Sequence, residues 1–166
     1  YAMAENIFLV TQNEILSPVQ IRVDKRVLEN EGRVLQDPHG LALVSNGKTS
    51  NMSQIEVRGP DGCVAAGPVG ELCVKGMHMF SGYRNRPEIS AEQIDAKGWF
   101  HTGDLGFILD DEVFVTGRLK DLIIIRGRNY YPHDIESLVG QVEGVSPGRV
   151  VAFGIPDKLT GTEKLV

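Results

Sequence analysis

Short extended runs separated by turns fill this 166-residue chain up to about Gly117. A short extended run buries its apolar side chains by pairing with another strand, so this pattern constrains the fold more than any other feature. The chain also holds 19 glycines, which is above the usual share of about 7 %, and they stand at turns and not in a low-complexity tract. The pattern predicts a β-rich first part.

The first half of the chain contains four candidate strands and one short helix. Residues 19–23 alternate, and residues 41–44 form a short apolar run. Residues 54–57 and 70–74 have the pattern of a strand pair whose connection begins with the turn-rich sequence GPDG. Asp24 is a candidate N-cap of the helix, and Gly32 is the candidate residue that ends it.

The second half is predicted to contain a helix, a hairpin, a buried strand, a second helix and a last strand, over residues 87–98, 105–116, 121–126, 132–143 and 149–155. The helix that begins at Pro132 has the clearest pattern, because Ile135, Leu138, Val139 and Val142 recur at i, i+3, i+4 and i+7. The order strand, helix, strand after Gly117 suggests a second, small α+β part.

Composition and charge argue against several classes of protein. With 42 % hydrophobic and 23 % charged residues, the chain has the composition of a globular protein and not of a disordered one. Its net charge of −5 argues against broad binding to nucleic acid or membrane surfaces. No apolar run approaches the ~18 residues of a membrane span, and a signal-peptide pattern is missing, so we expect a cytoplasmic protein. Cys63 and Cys73 have no CxxC pattern and are expected to be buried reduced thiols.

Three clusters are candidate sites, and each has a simpler alternative. Asp104, beside Gly103 at the expected start of a strand, is able to accept both hydroxyls of a vicinal diol such as a ribose, but it also fits an ordinary turn. The cations of residues 117–121 and 126–129 fit a phosphate, a solvated basic rim or a nucleic-acid patch, and the overall acidity argues against the last. Residues 1–5 read equally well as a frayed terminus.

Several familiar catalytic signatures are missing from the sequence. The four histidines, at positions 39, 78, 101 and 133, have no metal-ligand spacing. Neither a GxSxG nucleophile motif nor a GxxxxGK[ST] phosphate loop is present. A chain of this kind that binds a nucleotide is therefore expected to use another arrangement, or parts that are missing from this sequence.

Four segments, in order along the chain, resemble the motifs of one family. Residues 1–5 read YAMAE, residues 70–88 contain GELCVKG, GY and RPE, residues 98–104 read GWFHTGD, and residues 117–136 contain GRLKD and PHDIE. These segments resemble the YGxTE-type, GELxxxG…GYxxxPE, GWxxTGD and GRxKDxI motifs of the adenylate-forming superfamily. That superfamily contains acyl-CoA synthetases, peptide-synthetase adenylation domains and firefly luciferase.

Within the superfamily, the chain most resembles the fatty acyl-AMP ligases. Residues 126–132 (RGRNYYP) resemble their version of the hinge motif, and Ala4 stands where other branches have Thr. Residues 21–47 resemble the longer connection that these ligases carry after the first motif. Acyl-CoA ligases and amino-acid adenylation domains share most of the other motifs and remain alternatives.

The resemblance implies a mixed α/β (α+β) fold in two parts. Residues 1–118 would form the β-rich end of the large N-terminal AMP-binding domain, and residues 119–166 the start of the small, mobile C-terminal domain. The family's phosphate loop precedes the first motif, and its catalytic lysine follows the last. The chain would therefore be a segment of a longer enzyme, and we expect it to be inactive in isolation.

The resemblance also implies a two-step use of ATP. The carboxylate of a fatty acid attacks the α-phosphorus, which gives an acyl-adenylate and pyrophosphate, and the acyl group then passes to a thiol. Fatty acyl-AMP ligases usually transfer it to the phosphopantetheine arm of an acyl carrier protein and use free CoA poorly. The implied cofactors are ATP and Mg²⁺, and the implied partners are a fatty acid and a carrier protein or CoA.

The motifs assign nucleotide contacts residue by residue. By the resemblance, Tyr1 would pack on the adenine, and Asp104 would accept both ribose hydroxyls. Arg118 would donate to the ribose or to a phosphate. Ala2 departs from the motif, which usually has Gly there, and its Cβ would crowd the acyl pocket or bend the backbone.

The remaining assignments concern catalysis and movement. By the resemblance, Glu5 would hold Mg²⁺ and Lys120 would lie at the hinge about which a domain rotation separates adenylation from transfer. Gly127 would lie on the loop that faces the site after the rotation, where a side chain would obstruct the pantetheine arm.

Two alternatives from other classes remain at this point. One is a non-catalytic module that binds a nucleotide or a lipid, against which the intact Glu5, Asp104, Arg118 and Lys120 argue. The other is a β-rich interaction domain whose glycines serve turns alone, against which the ordered motifs argue.

Overall fold

A six-stranded antiparallel sheet organises the molecule. The computed structural model describes residues 1–13, 17–60, 62, 68–146, 148–157 and 160–166. A 3₁₀ turn covers Ala4–Asn6, and the helices are α1 (Lys25–Glu31), α2 (Pro87–Gln93) and α3 (Pro132–Val139). The strands are β1 (Ala2–Met3), β2 (Phe8–Leu9), β3 (Thr11–Gln12), β4 (Gln20–Val23), β5 (Leu41–Val44), β6 (Lys48–Thr49), β7 (Ser53–Arg58), β8 (Gly70–Gly76), β9 (Phe100–Leu109), β10 (Glu112–Arg118), β11 (Ile123–Ile125), β12 (Arg128–Tyr130), β13 (Gly154–Asp157) and β14 (Thr162–Leu165).

The central sheet has the strand order β3-β6-β10-β9-β8-β7. The predicted pairing of β7 with β8 and the predicted hairpin of β9 with β10 are both confirmed. Asp110 and Asp111 form the two-residue turn of that hairpin with φ of 52° and 66°, which is the left-handed conformation that short hairpin turns require. Strand β9 begins at Phe100, so Gly103 and Asp104 lie inside a strand and not at its start, which corrects the sequence-based prediction.

The main core lies between the central sheet and a smaller layer made by β4, β5 and α1. Phe107 and Phe114 face each other across the β9–β10 hairpin with ring centroids 4.9 Å apart, and Val23 and Leu28 pack against them. The predicted capping of α1 is confirmed at both ends. Asp24 Oδ1 accepts the backbone N–H groups of Arg26 and Val27, and Gly32 adopts a φ of +60° after the last turn.

Two helices are shorter than the sequence predicts. Helix α2 ends at Gln93 and not at Gly98, because the carboxylate of Asp95 accepts the N–H groups of Lys97 and Trp99 and folds the chain into a turn. Helix α3 ends at Val139, and none of its eight residues, all of which are described, is buried.

The two last predicted strands are also revised. Strand β11 covers Ile123–Ile125 in a two-stranded sheet with β12, and of its three residues Ile123 is buried while Ile124 is exposed. The last strands are β13 and β14, so the predicted strand over residues 149–155 forms only from Gly154 onward. The result is a mixed α/β fold, as predicted, and its division after residue 118 stays a prediction.

The predicted cysteine environments are described in part. Cys73 is a buried free thiol in β8, as predicted. Cys63 and most of the connection between β7 and β8 lie outside the described residues. Among the described residues, no helix has the length and apolarity needed to cross a membrane.

Candidate functional site

Two adjoining cavities meet at Asp104. The first, of about 650 Å³, which we call the Asp104 cavity, is lined by residues 1–5 of the first motif, residues 100–104 of β9 and residues 118–121. The second, of about 760 Å³, which we call the Tyr131 cavity, extends from Asp104 and Arg118 to Tyr131 and residues 151–154. Five of the six site residues predicted from the sequence line the Asp104 cavity: Tyr1, Glu5, Asp104, Arg118 and Lys120.

Protein donors occupy both carboxylate oxygens of Asp104. Its Oδ2 accepts the Tyr1 hydroxyl at 2.5 Å, and its Oδ1 accepts Arg118 Nε at 2.9 Å. Asp104 and Arg118 stand opposite each other in the β9–β10 register, which explains why the two side chains meet. Asp104 is only 7 % exposed, whereas the side chain of Arg118 is 67 % exposed, so the ion pair opens toward the cavities.

Tyr1 and Arg118, the two donors to Asp104, both stay protonated. Burial, followed by the hydrogen bond to Asp104, raises the pKa of the Tyr1 phenol well above its usual range. The charge of Asp104 raises the pKa of Arg118. Asp104 is thus a buried carboxylate that takes one hydrogen-bond donor on each oxygen, which is also what the two hydroxyls of a vicinal diol offer.

A backbone irregularity in β9 aims Asp104 at the cavities. The β8–β9 register shifts between Glu71 and Cys73, and Gly103 has a φ of +73°, which is the left-handed conformation that favours glycine. The hydroxyl of Thr102 donates to the Leu72 carbonyl at 2.7 Å and accepts the Asp104 N–H at 3.0 Å. These bonds fix the two residues on either side of Gly103.

The same bulge holds the segment that carries Lys120. The N–H of Leu119 donates to the Gly103 carbonyl at 2.7 Å, which ties the turn after β10 to β9. Lys120 is exposed in that turn, between β10 and β11, and lines both cavities. Its predicted hinge role is not tested by a single conformation and stays a prediction.

Glu5 also lines the Asp104 cavity and lies in the 3₁₀ turn. Its Oε1 accepts the Tyr83 hydroxyl at 2.9 Å, and its backbone carbonyl accepts the N–H of Phe80 at 2.7 Å. Burial, followed by the hydrogen bond to Glu5, raises the pKa of Tyr83 to about 12, so Tyr83 remains a donor. A half-buried carboxylate that faces a cavity and is oriented by one donor fits Mg²⁺, which prefers oxygen ligands and binds through one or two carboxylates plus phosphates.

Gly127 and Ala2 are the remaining residues with a role predicted from the sequence. Gly127 lies in the turn between β11 and β12 with a φ of +77°, beside a separate cavity that it shares with Ile124 and Arg126. It is not brought to Asp104, and its approach after a rotation stays a prediction. Ala2 is exposed in β1 and lines the Asp104 cavity, and its predicted effect on an acyl pocket stays a prediction.

Sequence reasoning missed a polar network beside Asp104. Glu71 of β8 accepts the Gly103 N–H on Oε1 at 3.0 Å and contacts His101 Nδ1 with Oε2 at 2.7 Å. Arg58 of β7, whose side chain is 12 % exposed, places Nη1 3.1 Å from His101 Nε2. These residues are separated along the chain, and only the strand pairing brings them together. The available signal was the Glu of the GELCVKG motif.

Part of this network has the composition of a metal site. Ligand atoms of Glu71, Cys73 and His101 lie within 4.8 Å of one another. However, an imidazole that binds a metal through Nδ1 carries its proton on Nε2, where it would face the guanidinium of Arg58. Burial, followed by the charge of Glu71, also raises the pKa of the Cys73 thiol to about 12, which disfavours the thiolate that metals bind. The group fits a hydrogen-bond network better than a metal centre.

Comparisons with curated proteins point in one direction. No protein-family model matches the chain. It is 34 % identical over 181 residues to the putative fatty-acid–CoA ligase FadD21 of Mycobacterium tuberculosis, covering 100 % of the chain and 30 % of that protein. It is 36 % identical to the 4-hydroxyphenylalkanoate adenylyltransferase of Mycobacterium marinum, of which it covers 28 %. It is 39 % identical over 140 residues (76 % of the chain, 23 % of that protein) to the long-chain-fatty-acid–AMP ligase FadD26 of Mycobacterium tuberculosis.

Solved structures agree. The fold matches one from a study of fatty acyl-adenylate ligases of E. coli and L. pneumophila with a TM-score of 0.84 and 36 % identity, over 99 % of the chain and 30 % of that structure. It matches the McyG A-PCP structure complexed with phenylalanyl-adenylate with a TM-score of 0.77 and 30 % identity, over 99 % of the chain and 27 % of that structure. The chain thus spans about a third or less of these relatives, and it belongs to the adenylate-forming superfamily, most similar to its fatty acyl-AMP ligases.

Proposed function

We propose that this chain is the nucleotide-binding part of a fatty acyl-AMP ligase, in which Asp104 binds the ribose of ATP. The observation that carries the proposal is the buried Asp104 carboxylate, which holds one donor on each oxygen at the meeting point of two cavities. A ribose supplies two hydroxyl donors at adjacent carbons, so it can replace the Tyr1 hydroxyl and share Asp104 with Arg118.

The other residues of the Asp104 cavity fit the rest of the nucleotide. Tyr1 donates its hydroxyl to Asp104, and this proximity supports the proposal that its ring packs on an adenine whose ribose is bound there. Arg118 is mostly exposed and presents further donors for ribose or phosphate oxygens. Glu5, which accepts the Tyr83 hydroxyl, would bind the Mg²⁺ that accompanies the phosphates and offsets their charge.

The proposed reaction of the whole enzyme has two steps. A fatty-acid carboxylate attacks the α-phosphorus of ATP, so the bond to pyrophosphate breaks and an acyl-adenylate forms. A thiol then attacks the acyl carbon and releases AMP. We propose an acyl carrier protein as the thiol donor, which is supported by the likeness of residues 126–132 to the hinge motif of fatty acyl-AMP ligases. Lys120, in the exposed turn between β10 and β11, is the proposed hinge between the two steps.

Fatty-acid-dependent exchange of pyrophosphate into ATP by the full-length ligase tests the ribose assignment. Replacing Asp104 by Ala removes the charged acceptor of the ribose hydroxyl that replaces the Tyr1 hydroxyl. A net hydrogen bond to a charged group contributes about 1.5–3 kcal/mol, so kcat/KM for ATP is expected to fall by about ten- to a hundredfold. The matched control is Glu143→Ala, which removes an exposed carboxylate that lies outside both cavities. Equal activity of the two variants would refute the assignment.

The acceptor is tested separately. The full-length enzyme is incubated with ATP, Mg²⁺ and a fatty acid, and then with either CoA or a phosphopantetheinylated carrier protein. We expect acyl-AMP to accumulate with CoA and the acyl group to move to the carrier protein. Rapid formation of acyl-CoA would instead place the enzyme among the acyl-CoA ligases, without affecting the ribose assignment.

A further inference from the structure

The polar network beside Asp104 has a defined direction of hydrogen bonding. Arg58 Nη1 is a donor without acceptor capacity, so His101 Nε2, 3.1 Å away, must accept. The proton of the neutral ring is then on Nδ1, which donates to Glu71 Oε2 at 2.7 Å. Cys73 Sγ lies farther from Nδ1, at 3.6 Å, and is the weaker partner. The chain of bonds therefore runs from Arg58 through His101 to Glu71.

The network ends on the backbone that carries Asp104. Glu71 uses its other oxygen, Oε1, to accept the N–H of Gly103 at 3.0 Å, on the β8 side of the bulge. On the β10 side, the N–H of Leu119 binds the Gly103 carbonyl. Both polar groups of the Gly103 backbone are thus engaged, and the next residue is Asp104. A Cβ at Gly103 would meet nothing within 4 Å, so no atom of the described residues packs against the bulge on that side.

Arg58 is itself held in place. Its Nε donates to Glu56 at 2.6 Å and its Nη1 donates to Asp95 at 2.8 Å, and its guanidinium lies 5.8 Å from the centroid of the Trp99 ring. The network is therefore anchored on β7 and on the turn before β9. From Arg58, the side-chain hydrogen bonds lead to the Gly103 backbone through His101 and Glu71.

We propose that Glu71 and His101 are positioning residues that hold the Gly103 bulge and thereby keep Asp104 in the orientation that binds ribose. The inference rests on the proposed function, since it concerns how the ribose carboxylate is aimed. Both side chains line the Asp104 cavity, and the proposed role acts through the Gly103 backbone and not through a contact with the nucleotide. Small displacements of a binding group are costly, so losing the hold on the bulge should weaken recognition of the ribose hydroxyls by about ten- to a hundredfold.

The test compares binding of ATP with binding of 2′,3′-dideoxy-ATP by the full-length ligase. The affinity for ATP divided by the affinity for 2′,3′-dideoxy-ATP reports contacts with the ribose hydroxyls. This ratio does not change when a preparation merely contains less active protein. Four variants carry the argument: Asp104→Ala, Glu71→Gln, His101→Leu and His101→Asn. A Gln at position 71 has only one acceptor oxygen and cannot serve both His101 and Gly103. An Asn at position 101 places an N–H near the position of Nδ1 and is expected to rescue.

We expect the ratio to fall by about tenfold or more in Asp104→Ala, Glu71→Gln and His101→Leu, and to stay within about twofold of the wild-type value in His101→Asn. The matched control is Glu56→Gln, which neutralises a carboxylate of the same network that has no contact with the bulge and should leave the ratio unchanged. Thermal unfolding of each variant identifies any that fail to fold. If His101→Leu fails to fold, the result for Glu71→Gln decides the question.

The outcomes separate the two proposals. A fall in Asp104→Ala together with an unchanged ratio in Glu71→Gln and His101→Leu would overturn the positioning role and leave the ribose assignment standing. An unchanged ratio in Asp104→Ala would overturn both. Equal losses in His101→Asn and His101→Leu would show that the ring acts through packing and not through its Nδ1 proton, which also contradicts the inference.

Discussion

Replacing Asp95 by Asn is expected to change how the stability of the chain depends on pH. Asp95 Oδ1 accepts the backbone N–H groups of Lys97 and Trp99 at 2.8 and 2.9 Å, and Oδ2 accepts Arg58 at 2.8 Å. Partial burial opposes ionisation, but these three hydrogen bonds outweigh it and lower the pKa of Asp95 from 3.8 to about 2. An Asn keeps the shape of the turn and loses the charge.

The size of the effect follows from that pKa. The side chain of Asp95 is 24 % exposed, so solvent screens it only in part. One pKa unit corresponds to about 1.4 kcal/mol, so the ionised carboxylate stabilises the folded chain by about 2 kcal/mol near neutral pH. A lowered folded pKa means that this stabilisation is complete above the unfolded pKa and is lost as the pH falls through the folded one. About half should remain at pH 3.

Urea unfolding at pH 7, 5, 4 and 3 measures this contribution. It is the difference in the free energy of unfolding between the wild-type and Asp95→Asn chains at each pH. The stability gap should be about 2 kcal/mol at pH 7 and shrink toward pH 3, because other carboxylates titrate equally in both proteins. The control is Asp111→Asn, which changes an exposed carboxylate in the β9–β10 turn and should alter stability by less than about 0.5 kcal/mol at every pH. A gap that stays constant from pH 7 to pH 3 would refute the reasoning.

Three further predictions concern the core, the sheet and the hinge. Leu72 is fully buried in a cluster with Val57 and Val113. Leu72→Ala should therefore lower the free energy of unfolding by about 2–5 kcal/mol in urea titrations, and a loss below about 1 kcal/mol would contradict its core position. Gly106→Ala would place a Cβ 2.4 Å from the Phe114 carbonyl oxygen and 3.0 Å from Leu72 Cδ1. The melting temperature should therefore fall by at least about 5 °C. An unchanged melting temperature would mean that β10 shifts to make room without a cost in stability. Lys120→Pro in the full-length ligase should impair adenylation and thiol transfer unequally when the half-reactions are assayed separately, and equal losses would argue against a hinge.

Local signals were sufficient for the elements whose ends are determined by nearby residues. Asp24 and Gly32 flank α1 as predicted, because a cap bonds to backbone groups two or three residues away. The turn at Asp110 and Asp111 was equally predictable, since short polar side chains tolerate the left-handed conformation of a hairpin turn.

Predictions failed where the outcome depends on distant partners. The apolar residues after Pro132 continue at helical spacing, but the N–H groups of Gln141 and Val142 bond to carbonyls three residues back, and the helix gives way to turns at Gly140. A run of three isoleucines predicts a buried strand, yet β11 pairs only with β12 and exposes Ile124. The network from Arg58 to Glu71 joins three strands and has no local pattern at all.

The sequence predicted which residues form the candidate site. It did not predict that Tyr1 and Arg118 hydrogen-bond to Asp104 in the structure without a ligand. A buried carboxylate that lacked donors would be costly, and Asp104 avoids this cost by taking its donors from Tyr1 and Arg118. Under the proposed function, nucleotide binding is then an exchange in which a ribose hydroxyl replaces the Tyr1 hydroxyl at Oδ2. The carboxylate is satisfied in both states, so its net contribution to affinity is smaller than the bonds it forms. This contribution depends on how well the bulge at Gly103 holds Asp104 in the geometry that a ribose requires. Glu71 bonds to the backbone of that bulge, and His101 bonds to Glu71.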